Sequence, residues 1–467
     1  MKPLRFIFGF CYILIISIDV SQAQQLEIHF INVGWGGSMF IKGPNGTTLL
    51  VEAGNTGKGI AKVVPYLKSI GIQPADGFDY AIAGHQHSDH LGGLDEVLNA
   101  GYNVRVKNYY NGSSYSTSAV TEWNNVAAST TAGAPVILPV GTVINLGDSA
   151  TITCVARDGY IIGGGTVIVS DENDRSIALL IQYKGFDFLW GSDLGGGSKD
   201  QTCTGRSTSQ VDVETSVITA ISPGGASPLI PSGGIDVLFV NHHGSESSTN
   251  KNWMNMSAPA VAVINTGAGQ TSGWDLPRKD VVENVLLAKA SSCITAPPAL
   301  VLQTEEGAPA GVLLSTAGFC VGDIKISANG KGYYVVSADG AVTQGPNEVK
   351  DAGLPLTFIT DDHLAGHIPT AVLYESSLQP EGFELGQNFP NPFNPTTTIP
   401  FTLSSSGHTS LQIYNILGER VVTLLDQYIE MGRYSVKWDV GTLASGVYYY
   451  RLKTELSVKQ KKLILLR

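Results

Sequence analysis

The sequence predicts an α/β domain followed by a small all-β domain. Three observations carry this. Short β-branched runs alternate with stretches of helical spacing through the first three quarters of the chain. Polar clusters recur at the ends of apolar strands. Near residues 373–386 the composition shifts, and beyond it strands alternate with Gly and Pro turns. At 467 residues the chain is too long for one compact domain. Its 54 glycines favour strands and turns over long helices.

Residues 1–23 read as a secretory signal peptide. Lys2 and Arg5 give a positive start, Phe6 to Ile18 is apolar, and Ser21-Gln22-Ala23 places small residues for cleavage. The apolar run falls short of the roughly 20 residues of a spanning helix, and the mature chain offers no other transmembrane segment. The first, α/β domain is expected over 24–372. Leu26 to Ile31 alternates as a strand, Gly34 to Gly37 breaks it, and Met39 to Ile41 resumes. Pro44-Asn45-Gly46 is a hairpin turn before Thr47 to Val51. Ala61 to Ile70 has helical spacing and stops at Gly71. Phe78 to Ala83 is a short strand that leads into the histidines, and Leu94 to Leu98 is helical. The alternation continues through 177–190, 235–241, 260–265 and 278–289. Stretches 103–170 and 195–234, rich in Ser, Thr, Gly and Asn, read as loops that shape a pocket. A linker is expected at 373–384 and a β-sandwich over 385–467.

After removal of Cys11 with the signal, Cys154, Cys203, Cys293 and Cys320 remain. The expected pairing is Cys154–Cys203 with Cys293–Cys320, against four buried thiols as the alternative. No CxxC pair offers a thiolate zinc site. The net charge of −11 is uneven: residues 383–467 carry 9 basic and 6 acidic side chains, whereas residues 24–382 carry 18 and 33, about −15. Such a region does not bind nucleic acid tightly as a polyanion, so nucleic acid enters only as a substrate.

Gly84-His85-Gln86-His87-Ser88-Asp89-His90-Leu91-Gly92-Gly93 packs three imidazoles and a carboxylate into six residues. Divalent zinc prefers these donors. A strand ending in a loop can turn His85 and His87 toward one ion while Asp89 and His90 meet a second. Asp193 ends the apolar strand Phe188 to Trp190 and could bridge two cations. Val237 to Val240 then delivers Asn241, His242, His243, Gly244 and Ser245. One of His242 and His243 completes the second site, and the other binds substrate or orients a ligand. His29 alternates with apolar strand residues and reads as structural. Asp362-His363 and His367 form a further, isolated polar cluster.

The HxHxDH motif, the later strand-end Asp and His242-His243-Gly244-Ser245 resemble the metallo-β-lactamase superfamily. With Ile31-Asn32-Val33-Gly34 they resemble its branch of DNA-uptake competence hydrolase domains and phosphorylcholine esterases, over about residues 25–340. The resemblance implies an αβ/βα sandwich with a two-metal site between its sheets. His85 and His87 would bind metal one, Asp89 and His90 metal two, Asp193 would bridge, and His242 or His243 would complete metal two, with His243 the better match because it precedes the glycine. The ions would be Zn²⁺, with Mn²⁺ or Fe²⁺ as alternatives. The superfamily's middle histidine is missing, with Asn173 and Asp174 as candidate substitutes. Gly36-Gly37 replaces the usual Gly-Asp, Glu52 the usual Asp, and Asp275-Leu276 the usual histidine before Pro277.

A two-metal site of this kind implies attack by a metal-bridging hydroxide on phosphorus or a carbonyl carbon, with Asp89 or Asp193 taking the proton and His242, Ser245 and Asn241 holding substrate oxygens. The resemblance to that branch implies that the bond cleaved is a phosphodiester. The alternatives are a lactone, thioester or β-lactam hydrolase using the same site, and a non-catalytic metal-stabilised binding module. The substrate is a small-molecule or polymer ester. Leu385 to Thr396, followed by Leu411 to Asn415, Ser435 to Asp439 and Ser445 to Leu452, resembles the C-terminal sorting domain of type IX secretion substrates. That implies the type IX machinery as partner and a destination at the cell surface or in the medium, reached through the periplasm.

Overall fold

In the computed structural model, residues 25–466 are described, apart from 198–202, 204–208, 268–269, 271–273, 291, 308–317, 343–351, 353, 361–371, 377–381, 395, 430, 441–442 and 455. The signal segment and the His363 and His367 cluster lie outside the described residues.

The chain begins one sheet with β1 (Leu26–Phe30), β2 (Ser38–Lys42), β3 (Thr48–Ala53), β4 (Phe78–Ile82), β5 (Val104–Tyr110) and β6 (Val136–Ile137). It then builds a second from β7 (Val143–Gly147), β8 (Ala150–Arg157), β9 (Tyr160–Ile161), β10 (Gly165–Thr166), β11 (Ala178–Tyr183), β12 (Phe186–Trp190), β13 (Val237–Phe239), β14 (Val261–Ile264), β15 (Leu300–Gln303) and β16 (Phe319–Cys320). It returns to the first sheet with β17 (Ile324–Ala328), β18 (Tyr333–Ala338), β19 (Leu356–Ile359) and β20 (Val372–Ser376). Strands β3 to β6 are parallel, as are β12 to β16, so the carboxyl ends of β4, β12 and β13 open on one edge. Such edges are where open α/β sheets bind ligands.

Alternation along each strand explains the layers. Ile28, Phe30, Leu49 and Val51 face Leu179, Ile181, Phe186, Phe188 and Trp190 in one core between the sheets. Leu180, Leu189, Leu238 and Ala262 point the other way, onto helices at Glu214–Ile221 and Lys251–Ser257. On the first sheet Phe40, Leu50 and Ala81 likewise meet helical residues Val64, Leu67, Leu94 and Val97. Helix, sheet, sheet, helix is the expected αβ/βα sandwich. Each fully buried Phe or Leu stabilises it by about 1.5–3 kcal/mol. His29 has its place in this packing, its Nδ1 2.8 Å from the Tyr66 hydroxyl.

Three expectations need correction. The stretches 103–170 and 195–234 are not loops throughout. They hold β5 to β10 and the helices at Ser118–Ala128 and Glu214–Ile221, because alternating residues such as Val104, Ile144, Ile152 and Val217 reach the cores among their polar neighbours. The disulfide is Cys203–Cys293, with Cα atoms 6.1 Å apart. Cys154 and Cys320 are buried and outside any disulfide, because each lies on a strand whose register points it into packed interior rather than toward a second cysteine. The segment from 373, expected as a linker, begins as strand β20, which pairs with β19 and with Gly432–Asp439 of the C-terminal region. There, Thr396–Leu403 and Gly432–Asp439 face a four-stranded sheet of Gly407–Tyr414, Arg420–Ile429, Gly446–Thr454 and Val458–Leu465. Ile399, Phe401 and Val436 meet Leu411, Ile413, Tyr450 and Leu463 between them, giving the expected small sandwich.

Candidate metal centre

Strand β4 stops at Ile82, and His85 follows fully buried. One helical turn, Ser88–Leu91, presents Asp89 and His90. Gly92 and Gly93 are required there by close packing, not by an unusual turn. Their φ angles are −62° and −98°, but a Cβ would lie 2.4 Å from the Ser88 carbonyl oxygen or 2.3 Å from that of Ala53. Asp193 follows β12 after Gly191 and Ser192. His242 and His243 follow β13, both at positive φ, 52° and 53°. Two successive left-handed residues swing both rings toward the same edge.

The rings and carboxylates converge. His85 Nε2 and His87 Nδ1 are 3.1 Å apart, as are the Nε2 atoms of His90 and His243. Asp193 Oδ2 lies 3.1 Å from His90, 3.7 Å from His85, 3.7 Å from His243 and 3.8 Å from His242. Asp89 Oδ2 is 3.6 Å from His90 Nε2 and 3.5 Å from His243 Nε2. Asp89, His90 and His243 therefore form one compact donor group. His85 Nε2 stands between His87 and Asp193, 3.1 Å from the one and 3.7 Å from the other. Asp174 stands outside the donor groups, its Oδ2 accepting from the Val211 amide, while Asn173 donates its backbone amide to Asp171 Oδ1. Asn241 and Ser245 also turn inward, Asn241 onto Glu214 at 2.7 Å and Ser245 onto Ser247 at 2.9 Å.

The other nitrogen of four of these rings is held. His90 Nδ1 sits 2.8 Å from Glu52 Oε2, His243 Nδ1 donates to the Asn265 carbonyl at 2.8 Å, and His242 Nδ1 is 2.9 Å from Ser247 Oγ. His85 Nδ1 is 3.1 Å from Ser192 Oγ. Glu52, Ser192, Ser247 and Asn265 thus supply the outer contacts that fix ligand rings. Glu52 stood out in the sequence only as a departure. The other three carry no motif, and only the fold brings them in. Glu52 also lies near His85 and His90 as a donor group, but its two oxygens are already engaged by His90 and Ser192.

These residues fit divalent cations. Two imidazole nitrogens bound to one zinc ion at about 2.0–2.1 Å in tetrahedral geometry stand about 3.3 Å apart. Asp193 Oδ1 is buried with no hydrogen-bond partner, as a bridging carboxylate oxygen would be. Without cations, protons balance the charge. Burial opposes ionisation of His90, but Asp193, Glu52 and Asp89 outweigh it and hold its pKa well above the ordinary value. Burial likewise opposes the Asp193 carboxylate, yet His90, His243 and His242 hold it well below the usual range. His85 is pushed well down by burial and by His90.

Asp174 provides a check on the missing middle ligand. Burial raises its carboxyl to about 7. The folded pKa lies above the unfolded value of about 3.9, so stability present at acid pH is lost as pH rises through 7. Asp174→Asn removes that loss. The variant should melt at least about 2–4 °C higher at pH 8, the shift of roughly 1 kcal/mol, and keep its metal content. Loss of one ion by inductively coupled plasma analysis would instead make Asp174 a ligand.

Residues 36–170 match the metallo-β-lactamase superfamily, and residues 387–466 match the secretion system C-terminal sorting domain. The chain carries a metallo-β-lactamase superfamily domain and a type IX sorting domain. The first, with its donor groups, is of a metal-dependent hydrolase superfamily that implies divalent ions. The second implies the type IX machinery and export to the cell surface or medium. The metallo-β-lactamase region is similar to recombination protein 2 of Haemophilus influenzae, 24% identical over 301 residues. That match spans 61% of this chain and 30% of the relative, so less than a third of the relative's length is matched. Human tRNase Z, short form, aligns over 50% of this chain and 90% of its own at 10% identity and a TM-score of 0.31. PorZ, a surface component of the type IX system of Porphyromonas gingivalis, aligns over 31% of this chain and 21% of its own at 17% identity and a TM-score of 0.16. Among the described residues no helix is long and apolar enough to cross a membrane.

Proposed function

We propose that this chain is an exported two-metal hydrolase that cleaves phosphodiester bonds. The observation that carries the reading is the sharing of Asp193 between two sets of donors, His85 with His87 and His90 with Asp89 and His243. One ion would rest on His85, His87 and Asp193, the other on Asp89, His90, His243 and Asp193. The all-nitrogen and oxygen donor set suits Zn²⁺ first, with Mn²⁺ or Fe²⁺ as alternatives. Two such ions lower the pKa of a bound water toward neutrality and offset charge on the reacting group.

The chain's own residues do the rest. Asp89 is partly open, its side chain 16% exposed, and can accept a proton. His242 stands at the open side with Nε2 3.8 Å from Asp193 Oδ2. Burial lowers its pKa, and Ser247 engages Nδ1, which leaves Nε2 for substrate oxygens. Tyr115 packs edge-on against His87 and Trp35 against His243, which bounds the site with rings and limits water. The segment 1–23 would deliver the chain to the periplasm before the sorting domain acts.

The test uses the full mature chain, with bis-p-nitrophenyl phosphate, a lactone and a chromogenic cephalosporin offered before and after chelation. Phosphodiester turnover that disappears on chelation and returns with Zn²⁺ or Mn²⁺ is the expected result. Preferred cleavage of the lactone or cephalosporin would move the substrate class. Metal-loaded protein inert to all three would make it a binding module, and activity unchanged after complete metal removal would sink the mechanism.

A further inference from the structure

We propose that Glu52 and Ser192 act as a fork that fixes the tautomer of one imidazole in each metal site, His90 directly and His85 through the Ser192 hydroxyl. The inference rests on the two-ion reading and concerns residues with no ligand role of their own. Ser192 Oγ donates to Glu52 Oε1 at 2.6 Å. A hydroxyl has one proton, so toward His85 Nδ1, 3.1 Å away, the same oxygen accepts. His85 then carries its proton on Nδ1 and a lone pair on Nε2, the atom beside His87 and Asp193. The second arm is shorter. Glu52 Oε2 accepts from His90 Nδ1 at 2.8 Å, which leaves the Nε2 lone pair toward Asp193 and His243. One carboxylate therefore aims a ring of both sites.

Two features argue that this is built rather than incidental. Glu52 and Ser192 both adopt positive φ, 58° and 51°, where non-glycine residues are strained. Both are buried, 1% and 0% exposed, so water does not compete for the fork. Space for it comes from two glycines on other segments. A Cβ on Gly37 would lie 2.1 Å from Glu52 Oε2 and 2.9 Å from His90 Nδ1. A Cβ on Gly84 would lie 2.2 Å from Glu52 Oε1 and 2.8 Å from Ser192 Oγ. Any side chain at 37 would meet the Glu52 carboxylate, so glycine there is what lets Glu52 reach His90. The site with only His85 and His87 as imidazoles depends most on the Ser192 arm.

The test titrates Zn²⁺ calorimetrically into the chelated full-length protein and its Ser192→Gly and Glu52→Gln variants. Glycine relieves the strain at 192, so the chelated S192G protein should melt at or above the wild type. One of its two ions should bind about 10- to 100-fold more weakly, with the other little changed. E52Q should weaken both. In the Zn²⁺-loaded proteins, proton spectra should show the protected Nδ1–H resonance of His85 lost in S192G and that of His90 retained. S192G binding both ions as the wild type does, or losing both equally, would overturn the fork. A wild type that takes up fewer than two ions overturns the two-ion reading instead, and the fork then stands or falls on whether E52Q weakens the remaining ion.

Discussion

Asp193→Asn should abolish stable binding of at least one ion and cut hydrolysis by at least about a thousandfold, which is roughly 4 kcal/mol of barrier. The substitution keeps shape and removes charge. It leaves the backbone amide of residue 193 on Ser176 Oγ, so the strand end stays in place. What disappears is the only carboxylate within 3.8 Å of all four of His85, His90, His242 and His243 among the described residues. The variant also alters the chelated protein's response to pH. Asp193 has a folded pKa held well below its unfolded value, so its contribution is present above about pH 4 and lost as pH falls through the folded pKa. His90 has a raised pKa, so its contribution is present below about 6.5 and lost as pH rises through the folded value. Chelated wild type is therefore most stable between these limits, and D193N flattens that profile. Thermal melts from pH 4 to 9 with metal analysis check both parts. Two bound ions and activity within tenfold of wild type would remove Asp193 from the bridge.

The candidate cluster was legible because four of its members are local. His85, His87, Asp89 and His90 span six residues at a strand end, and short-range geometry alone gathers them. Asp193 and the His242–His243 pair were legible for the same reason, each closing an apolar strand. What spacing does not carry is backbone conformation. The left-handed turns at His242 and His243 bring both rings to Asp193, although an extended pair would point to opposite faces. The outer contacts were hidden for a different reason: Glu52 and Ser192 are 140 residues apart, and only the packing of the two sheets joins them. Strand β20 was hidden by its neighbours, since Pro380 and Gly382 made the whole stretch read as a linker while the pairing partners lie far off at Leu356–Ile359 and Gly432–Asp439. The interiors of 103–170 were obscured by polar residues on the outward positions of strands that are only half buried.

Removal of the Cys203–Cys293 disulfide should produce the largest loss of stability of any change outside the cores. The bond closes a loop of 90 residues, and chain-entropy arguments give about 4–5 kcal/mol for a loop of that size. The loop holds β13, β14 and both histidines of the second cluster, so the unfolded segment it restrains is the one that must assemble the site. In the folded chain, Cys203 packs against the second-sheet core, and Cys293 lies where Asn255 receives the amides of Thr295 and Ala296. The cross-link therefore fastens the segment that follows Asp193 to the segment before β15. An oxidising destination lets such a bond persist, which agrees with the sorting domain. Cys203→Ser with Cys293→Ser, or reduction of the wild type, should lower the thermal midpoint by roughly 10 °C. It should also open the stretch after Asp193 to protease before the rest of the chain is cut. Buried Cys154 and Cys320 serve as the internal control, since their replacement by alanine leaves the cross-link intact. A shift under about 2 °C for the double serine variant would show that the second-sheet core alone holds these two segments together.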